Sequence, residues 1–155
     1  VYGDCSFAPT GKASHEGHAA YLNYSLIAWR SKRQSLVAMS TCEGELIAAS
    51  TSLTLGRTIR LMISEFWGTS DTVHDQFRIM VDNQAAIDHL RLGDHASWRT
   101  RHISIRGTAA WCASEHGEVA IQFCPTDEMA ADGLTKGLTS ALLERMRTIW
   151  GLSPL

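Results

Sequence analysis

The chain has 155 residues, of which 45% are hydrophobic and 19% are charged, and its formal net charge is −2 at pH 7. These values are typical of a single globular domain with a core of its own. They exclude an overall electrostatic attraction to nucleic acid, and no apolar run approaches the roughly 18 residues that a membrane span needs.

The ends and the cysteines bear on the cellular context. We expect no signal peptide, and because the chain opens on Val1 rather than Met, we expect a piece of a longer protein whose first strand could lack residues. The four cysteines are scattered without a C-x-x-C pair, which predicts free thiols in a reducing, intracellular compartment. His15 and His18 are close in sequence, but two histidines are too few for a zinc site.

Three strand patterns precede the first helix pattern. They cover residues 1–8, 18–23 and 26–32, and a short polar turn joins the last two, which predicts an antiparallel meander. A long helix then begins after Ser40 and ends near Phe66.

The second half of the chain mixes helices with strands, and the order β-β-β-α-β-α-α-β-α up to residue 138 predicts an α/β fold, a mixed sheet with helices on its faces. Asp82 or Asn83 can cap the first of these helices, and Thr126 or Asp127 can cap the helix after Pro125. In chain order the patterns are a strand at 77–81, helices at 84–90 and 98–115, a strand at 118–123, and helices at 126–138 and 140–150.

The start of the long helix contains two acids for which the sequence predicts different roles. Ser40 followed by Glu43 fits a capping box, in which both side chains bond to free backbone N–H groups. Glu45 has no such local task and lies beside the apolar stripe, at the margin of the core. Glu43 stays an alternative to Glu45 as a functional acid. Gly56 is expected to weaken the middle of this helix.

Four acids occupy informative positions: Asp4 on the first strand, Glu45, Asp82 at the end of the fourth strand, and Asp132. Ligands of α/β sheets gather where parallel strands end, and an Asp-Gly pair inside a helix is a poor choice for helix stability. Two carboxylates 4 Å apart repel by about 4 kcal/mol at an effective dielectric of 20. If the four converge, they require cations, and oxygen ligands select Mg²⁺ or Mn²⁺.

Six segments carry a family resemblance, in this order and across nearly all of residues 1–138: DCSFA (4–8), IAWRSKRQ (27–34), STCEGELIA (40–48), VDNQAAI (81–87), RTRHISIR (99–106) and PTDEMAADGLTK (125–136). With these segments the chain resembles the ribonuclease H domain of a copia-type LTR retrotransposon Pol polyprotein. The resemblance implies a ribonuclease H-like fold with a five-stranded mixed sheet and helices on both faces. It would span residues 1–138, and 139–155 would form a C-terminal helix and tail.

The resemblance also implies an activity. Asp4, Glu45, Asp82 and Asp132 would be the catalytic acids and would bind two Mg²⁺ or Mn²⁺ ions, which activate a water and stabilise the leaving 3′-oxygen. The reaction would be endonucleolytic hydrolysis of the RNA strand of RNA–DNA hybrids during reverse transcription. The implied partner is the reverse transcriptase domain of the same polyprotein, in a cytoplasmic particle, without a membrane.

Contacts to the hybrid are expected near the acids. Ser6, Asn83 and Gln84 are candidates for 2′-hydroxyl contacts, and the basic residues Arg99, Arg101 and Arg106 are candidates for phosphate contacts. A merely solvated face explains these arginines equally well.

Two alternatives to the nuclease stay open. One is an inactive ribonuclease H-fold scaffold or remnant of a decayed element, and the other is a different phosphoryl-transfer task on the same fold. The loop at 124–127 contains no histidine, although many cellular ribonucleases H have one before their last helix. We expect this difference to affect the rate of cleavage rather than the ability to cleave.

Overall fold

The computed structural model describes residues 1–8, 13–68, 76–92 and 101–152, except for the side chains of 92 and 101–106. Within these ranges the chain forms five strands, four α-helices and two short 3-10 helices, Thr126–Glu128 and Asp132–Leu134. The longer elements are β1 (Tyr2–Ser6), β2 (His15–Leu22), β3 (Ser25–Arg33), α1 (Thr41–Trp67), β4 (Phe77–Val81), α2 (Gln84–Leu92), α3 (Arg101–Glu115), β5 (Val119–Phe123) and α4 (Ser140–Ile149).

The strands form one mixed sheet in the order β3-β2-β1-β4-β5. The β1–β2 and β2–β3 pairs are antiparallel, and the β1–β4 and β4–β5 pairs are parallel. Asn23 and Tyr24 turn the β2–β3 hairpin with φ values of 47° and 65°, as a tight turn between right-twisted strands requires. The predicted mixed α/β sheet is therefore confirmed, and its architecture is consistent with a ribonuclease H-like fold.

Helices α1, α2 and α3 pack on one face of the sheet, over a core that includes Leu46, Leu53, Ile79, Ile87 and Val119. Helix α1 continues through Gly56, as its predicted end near Phe66 implies, and the expected weakening by this glycine stays a prediction. A Cβ at position 56 would lie 2.3 Å from Cε2 of Phe77, so glycine lets this ring pack directly against the helix backbone.

The segment after β5 covers the opposite face. Cys124, Met129 and Ala131 pack there against Tyr2 and Met80. The hydroxyl of Tyr21 donates to the carbonyl of Ile149 at 3.0 Å, which holds the end of α4 against the same face. The sheet therefore has helices on both faces, as predicted.

The prediction of an α-helix over 126–138 is wrong, since two 3-10 helices stand in its place. The indole N–H of Trp150, the residue after α4, donates to the carbonyl of Ala130 at 2.9 Å, so this oxygen bonds to a side chain and not to the next helical turn. A Cβ at Gly133 would lie 2.7 Å from Cγ of Met146. Close packing against α4 therefore decides the local structure.

Strand β2 begins at His15, three residues before the prediction, because its first residues pair with the ends of β1 and β3. The start predicted for the third helix, residue 98, lies outside the described residues. Across the described ranges, none of the helices combines the length and the apolar character that crossing a membrane would need. All four cysteines are unpaired, as predicted.

Candidate metal centre

Strand register brings the first two acids together. β1 and β4 are parallel, and Tyr2 lies opposite Met80. Asp4 and Asp82 each lie two residues further along their strands, so they reach the same edge of the sheet side by side. Asp82 immediately follows the last residue of β4, at the carboxyl end where ligands of such sheets bind.

The first turn of α1 supplies the third acid and gives its two glutamates different roles. The hydroxyl of Ser40 accepts a hydrogen bond from the N–H of Glu43 at 3.1 Å. Oε2 of Glu43 accepts one from the N–H of Met39 at 2.7 Å, so this side chain bonds back to the backbone before the helix. Glu43 is therefore held locally, and Glu45 is the acid that reaches the sheet.

A close approach between helix and strand makes this possible. A Cβ at Gly44 would lie 2.6 Å from Sγ of Cys5, so only glycine allows α1 to lie this near to β1. The backbone of Cys5 then lies close enough to the carboxylate of Glu45 to favour the charged form and oppose the rise of its pKa.

Asp4, Glu45 and Asp82 form a compact group: each offers one carboxylate oxygen, and these oxygens lie within 4.8 Å of one another. Asp4 and Glu45 are each only 3% exposed, and Asp82 is half-buried at the rim. Three hard oxygen donors in this geometry could hold a divalent metal ion. Three of the four predicted residues therefore support the expectation of an acidic cluster that can bind a metal ion.

Electrostatics show that the positive charge near the cluster does not offset the burial of its acids. Burial, reinforced by the charges of Asp4 and Asp82, raises the pKa of Glu45 to about 9. Burial also raises the pKa of Asp4, although the bond from Thr135 opposes this shift. Oε2 of Glu45 is buried without a hydrogen-bond partner. A cation would satisfy this oxygen and favour the ionised carboxylates, so the donor set fits a divalent ion.

Asp132 lies beside this group but is not one of the three acids. Its charge contributes to raising the pKa of Asp4, which places it nearby. Oδ1 of Asp132 accepts a hydrogen bond from the ammonium of Lys136, and the Asp132 side chain is only 8% exposed. The structure therefore places all four predicted acids in one region, with the fourth bound to a lysine.

Supporting contacts were not predicted from the sequence. The hydroxyl of Thr135 donates to Oδ2 of Asp4 at 2.5 Å, and that of Thr126 donates to Oδ2 of Asp82 at 3.2 Å. Both threonines belong to the segment 125–136 that carries the resemblance, but a hydroxyl in a motif does not reveal its partner. Such bonds fix the orientation of a ligating carboxylate.

The candidates for hybrid contacts surround the cluster unevenly. Ser6 is half-buried at the end of β1. Asn83 caps α2, as predicted, because its Oδ1 accepts from the N–H of Ala86 at 3.1 Å. Gln84 is exposed, and its Nε2 donates to Oδ1 of Asp88 at 2.8 Å.

The side chains of the three arginines that are candidates for phosphate contacts lie outside the described part of the chain. Arg99 lies outside the described residues. Arg101 and Arg106 belong to α3, whose described side chains begin after them. Their role in binding phosphate stays a prediction.

No model of a known protein family matches the chain.

Proposed function

We propose that this chain is a metal-dependent endonuclease that hydrolyses the RNA strand of RNA–DNA hybrids, and that it is the ribonuclease H domain of a copia-type retrotransposon Pol polyprotein. The observation that carries the proposal is the convergence of Asp4, Glu45 and Asp82 around a buried, unpartnered carboxylate oxygen. The ordered sequence resemblance supports the same reaction.

The residues of the chain have separable tasks in this reaction. Asp4, Glu45 and Asp82 would hold the first Mg²⁺ or Mn²⁺ ion, and Asp132 would contribute to holding a second. Bound ions would supply an activated water and neutralise charge on the leaving 3′-oxygen. The hydroxyl of Thr135 orients Asp4, so this carboxylate needs little rearrangement on binding.

The rim of the centre suits a nucleic-acid backbone. Asp82 is more accessible than the other two acids, and exposed Gln84 follows it closely. A scissile phosphate could therefore approach at the end of β4, with 2′-hydroxyls within reach of polar side chains. Selectivity for RNA is expected from those contacts.

The test is cleavage of end-labelled RNA in a hybrid, with single-stranded RNA, duplex DNA and single-stranded DNA as parallel substrates. We expect Mg²⁺-dependent products with 3′-hydroxyl and 5′-phosphate ends from the hybrid alone. Asp82→Asn and Glu45→Gln should each lower the rate by at least about 100-fold, because losing even an outer-shell partner of a metal ligand costs 10- to 100-fold.

Glu43→Gln is the matched control. It makes the same chemical change two residues from Glu45, and a glutamine oxygen can still accept the bond from Met39. We expect its cleavage rate to stay near that of the unmodified chain. Hybrid cleavage that persists in Asp82→Asn would contradict the proposal, and absence of both cleavage and Mn²⁺ binding would favour an inactive scaffold.

A further inference from the structure

Lys136 brings a positive charge from the surface into the acidic region. Its side chain is 46% exposed, whereas that of its partner Asp132 is 8% exposed. The two residues are four positions apart, and the ammonium donates to Oδ1 of Asp132. The long aliphatic stem therefore reaches inward and ends on a buried carboxylate.

The same ammonium acts on the rest of the cluster. Its charge lowers the pKa values of Asp4 and Glu45, against the larger effect of burial. Asp132, Asp4 and Asp82 in turn favour the charged form of Lys136. A single side chain thus partly neutralises acids from β1, α1, β4 and the second 3-10 helix.

A metal ion and this ammonium would compete. Both are attracted to the same carboxylates, and a divalent ion among Asp4, Glu45 and Asp82 repels a neighbouring ammonium. Oδ1 of Asp132 carries the bond to the ammonium, so a metal ion that approaches this oxygen meets a positive charge and is repelled until Lys136 moves away.

We propose that Lys136 is a tethered counter-ion that holds Asp132 in the metal-free protein, and that metal ions must displace it to load the centre. Lys136 is then a positioning residue that sets the metal affinity. This inference rests on the metal site of the proposed function. Displacement also moves Asp132 from a lysine-bound to a metal-binding carboxylate, so the fourth acid joins the site only on loading.

The experiment is a calorimetric titration of the full chain with Mn²⁺ alone, at constant pH and ionic strength. Lys136→Met keeps most of the aliphatic stem and removes the charge, and we expect it to bind Mn²⁺ at least about 5-fold more tightly. Lys136→Arg keeps the charge and should bind within about 2-fold of the unmodified chain. Arg57→Met, which removes an exposed charge paired with Glu118, should also leave binding unchanged.

Thermal unfolding gives a second readout. Mn²⁺ should raise the Tm of Lys136→Met by more than it raises the Tm of the unmodified chain, because ligand stabilisation grows with affinity. Lys136→Gln replaces Lys136→Met in both measurements if the methionine variant does not fold.

The outcomes separate the two proposals. If Mn²⁺ binds the unmodified chain, Asp82→Asn abolishes binding, and Lys136→Met binds no more tightly, the counter-ion role is overturned and the metal site stands. Tighter binding by Lys136→Arg to the same extent as Lys136→Met would also overturn it, because charge would not be the cause. If the unmodified chain shows no binding that depends on Asp82, both proposals fail.

Discussion

Two buried glutamates on the same side of the sheet behave in opposite ways. Glu16 on β2 is 1% exposed and Glu45 on α1 is 3% exposed. The pKa of Glu16 is lowered, whereas that of Glu45 is raised to about 9. Burial acts against the charged form of both, so the neighbours decide the difference.

Glu16 is surrounded by groups that compensate its charge. Its Oε1 lies 2.8 Å from Nζ of Lys32 and 3.5 Å from Nε2 of His18. Nδ1 of His18 lies 2.9 Å from Oγ of Ser52, so α1 completes the network. Burial opposes ionisation of Glu16, but His18 and Lys32 together overcome it.

Glu45 has two further carboxylates as neighbours, whereas Glu16 has a lysine and a histidine, and both glutamates have buried carboxylate oxygens without a hydrogen bond. Full burial is therefore common to a structural acid and to a candidate ligand. What distinguishes them is whether the opposite charge that the protein supplies is enough to overcome burial. An uncompensated buried acid lowers stability, and such a cost is expected where function requires it.

The largest effect should come from removing the compensation of Glu16. Lys32→Met leaves this carboxylate buried beside His18, and losing one partner of a buried pair is strongly destabilising. We expect unfolding in urea at pH 7 to show a loss of roughly 3 kcal/mol. Arg30→Met, on the same strand but exposed, is the control and should change stability by no more than about 0.5 kcal/mol. Equal losses in both variants would show that Glu16 does not depend on Lys32.

The opposite sign is expected at Glu45. Because its folded pKa of about 9 exceeds the ordinary value of 4.5, the folded metal-free chain keeps a proton that the unfolded chain releases. Its contribution to stability is fully present below about pH 4.5 and is lost as pH rises toward 9. Glu45→Gln should therefore stabilise the metal-free chain by roughly 1–3 kcal/mol at pH 8, and by less at pH 5.

Denaturant unfolding of the two proteins across pH 5–9 measures this difference, with Glu43→Gln as the reference for a neighbouring acid. A stability gain that does not grow with pH would contradict the assigned cause. The same variant is expected to lose nuclease activity, so stability and function would change in opposite directions.

The smallest effect should come from an exposed ion pair with good geometry. Nε and one Nη of Arg57 each lie 2.7 Å from an oxygen of Glu118, but the Arg57 side chain is 46% exposed. We expect Arg57→Met to cost less than about 1 kcal/mol, because water and salt screen such pairs. Unfolding in 0.1 M and 1 M NaCl should show the difference shrinking with salt. A loss of stability above about 2 kcal/mol would mean that the good geometry of the pair matters more than its exposure to solvent.

Local patterns identified much of this molecule. Strand Phe77–Val81 has the predicted bounds, and α1 begins after the predicted cap at Ser40, because period and capping act over a few residues. The same local reasoning assigned Glu43 to the cap and left Glu45 for the site.

Tertiary contacts overrode local patterns elsewhere. Residues 126–138 are predicted to form one helix, yet the segment contains two short 3-10 helices, and Ala130 and Gly133 contact Trp150 and Met146 instead. Gly56, unfavourable in an isolated helix, is required by the ring of Phe77. Neither effect is visible without knowing which segments pack together.

The sequence by itself determined most of the elements, their order and the acids worth following, since these depend on neighbours along the chain. Only the tertiary structure decided that Glu16 meets a lysine whereas Glu45 meets two carboxylates, and that Lys136 reaches Asp132. The charge state of a buried acid depends on groups brought close through space, and spacing along the chain does not contain that information.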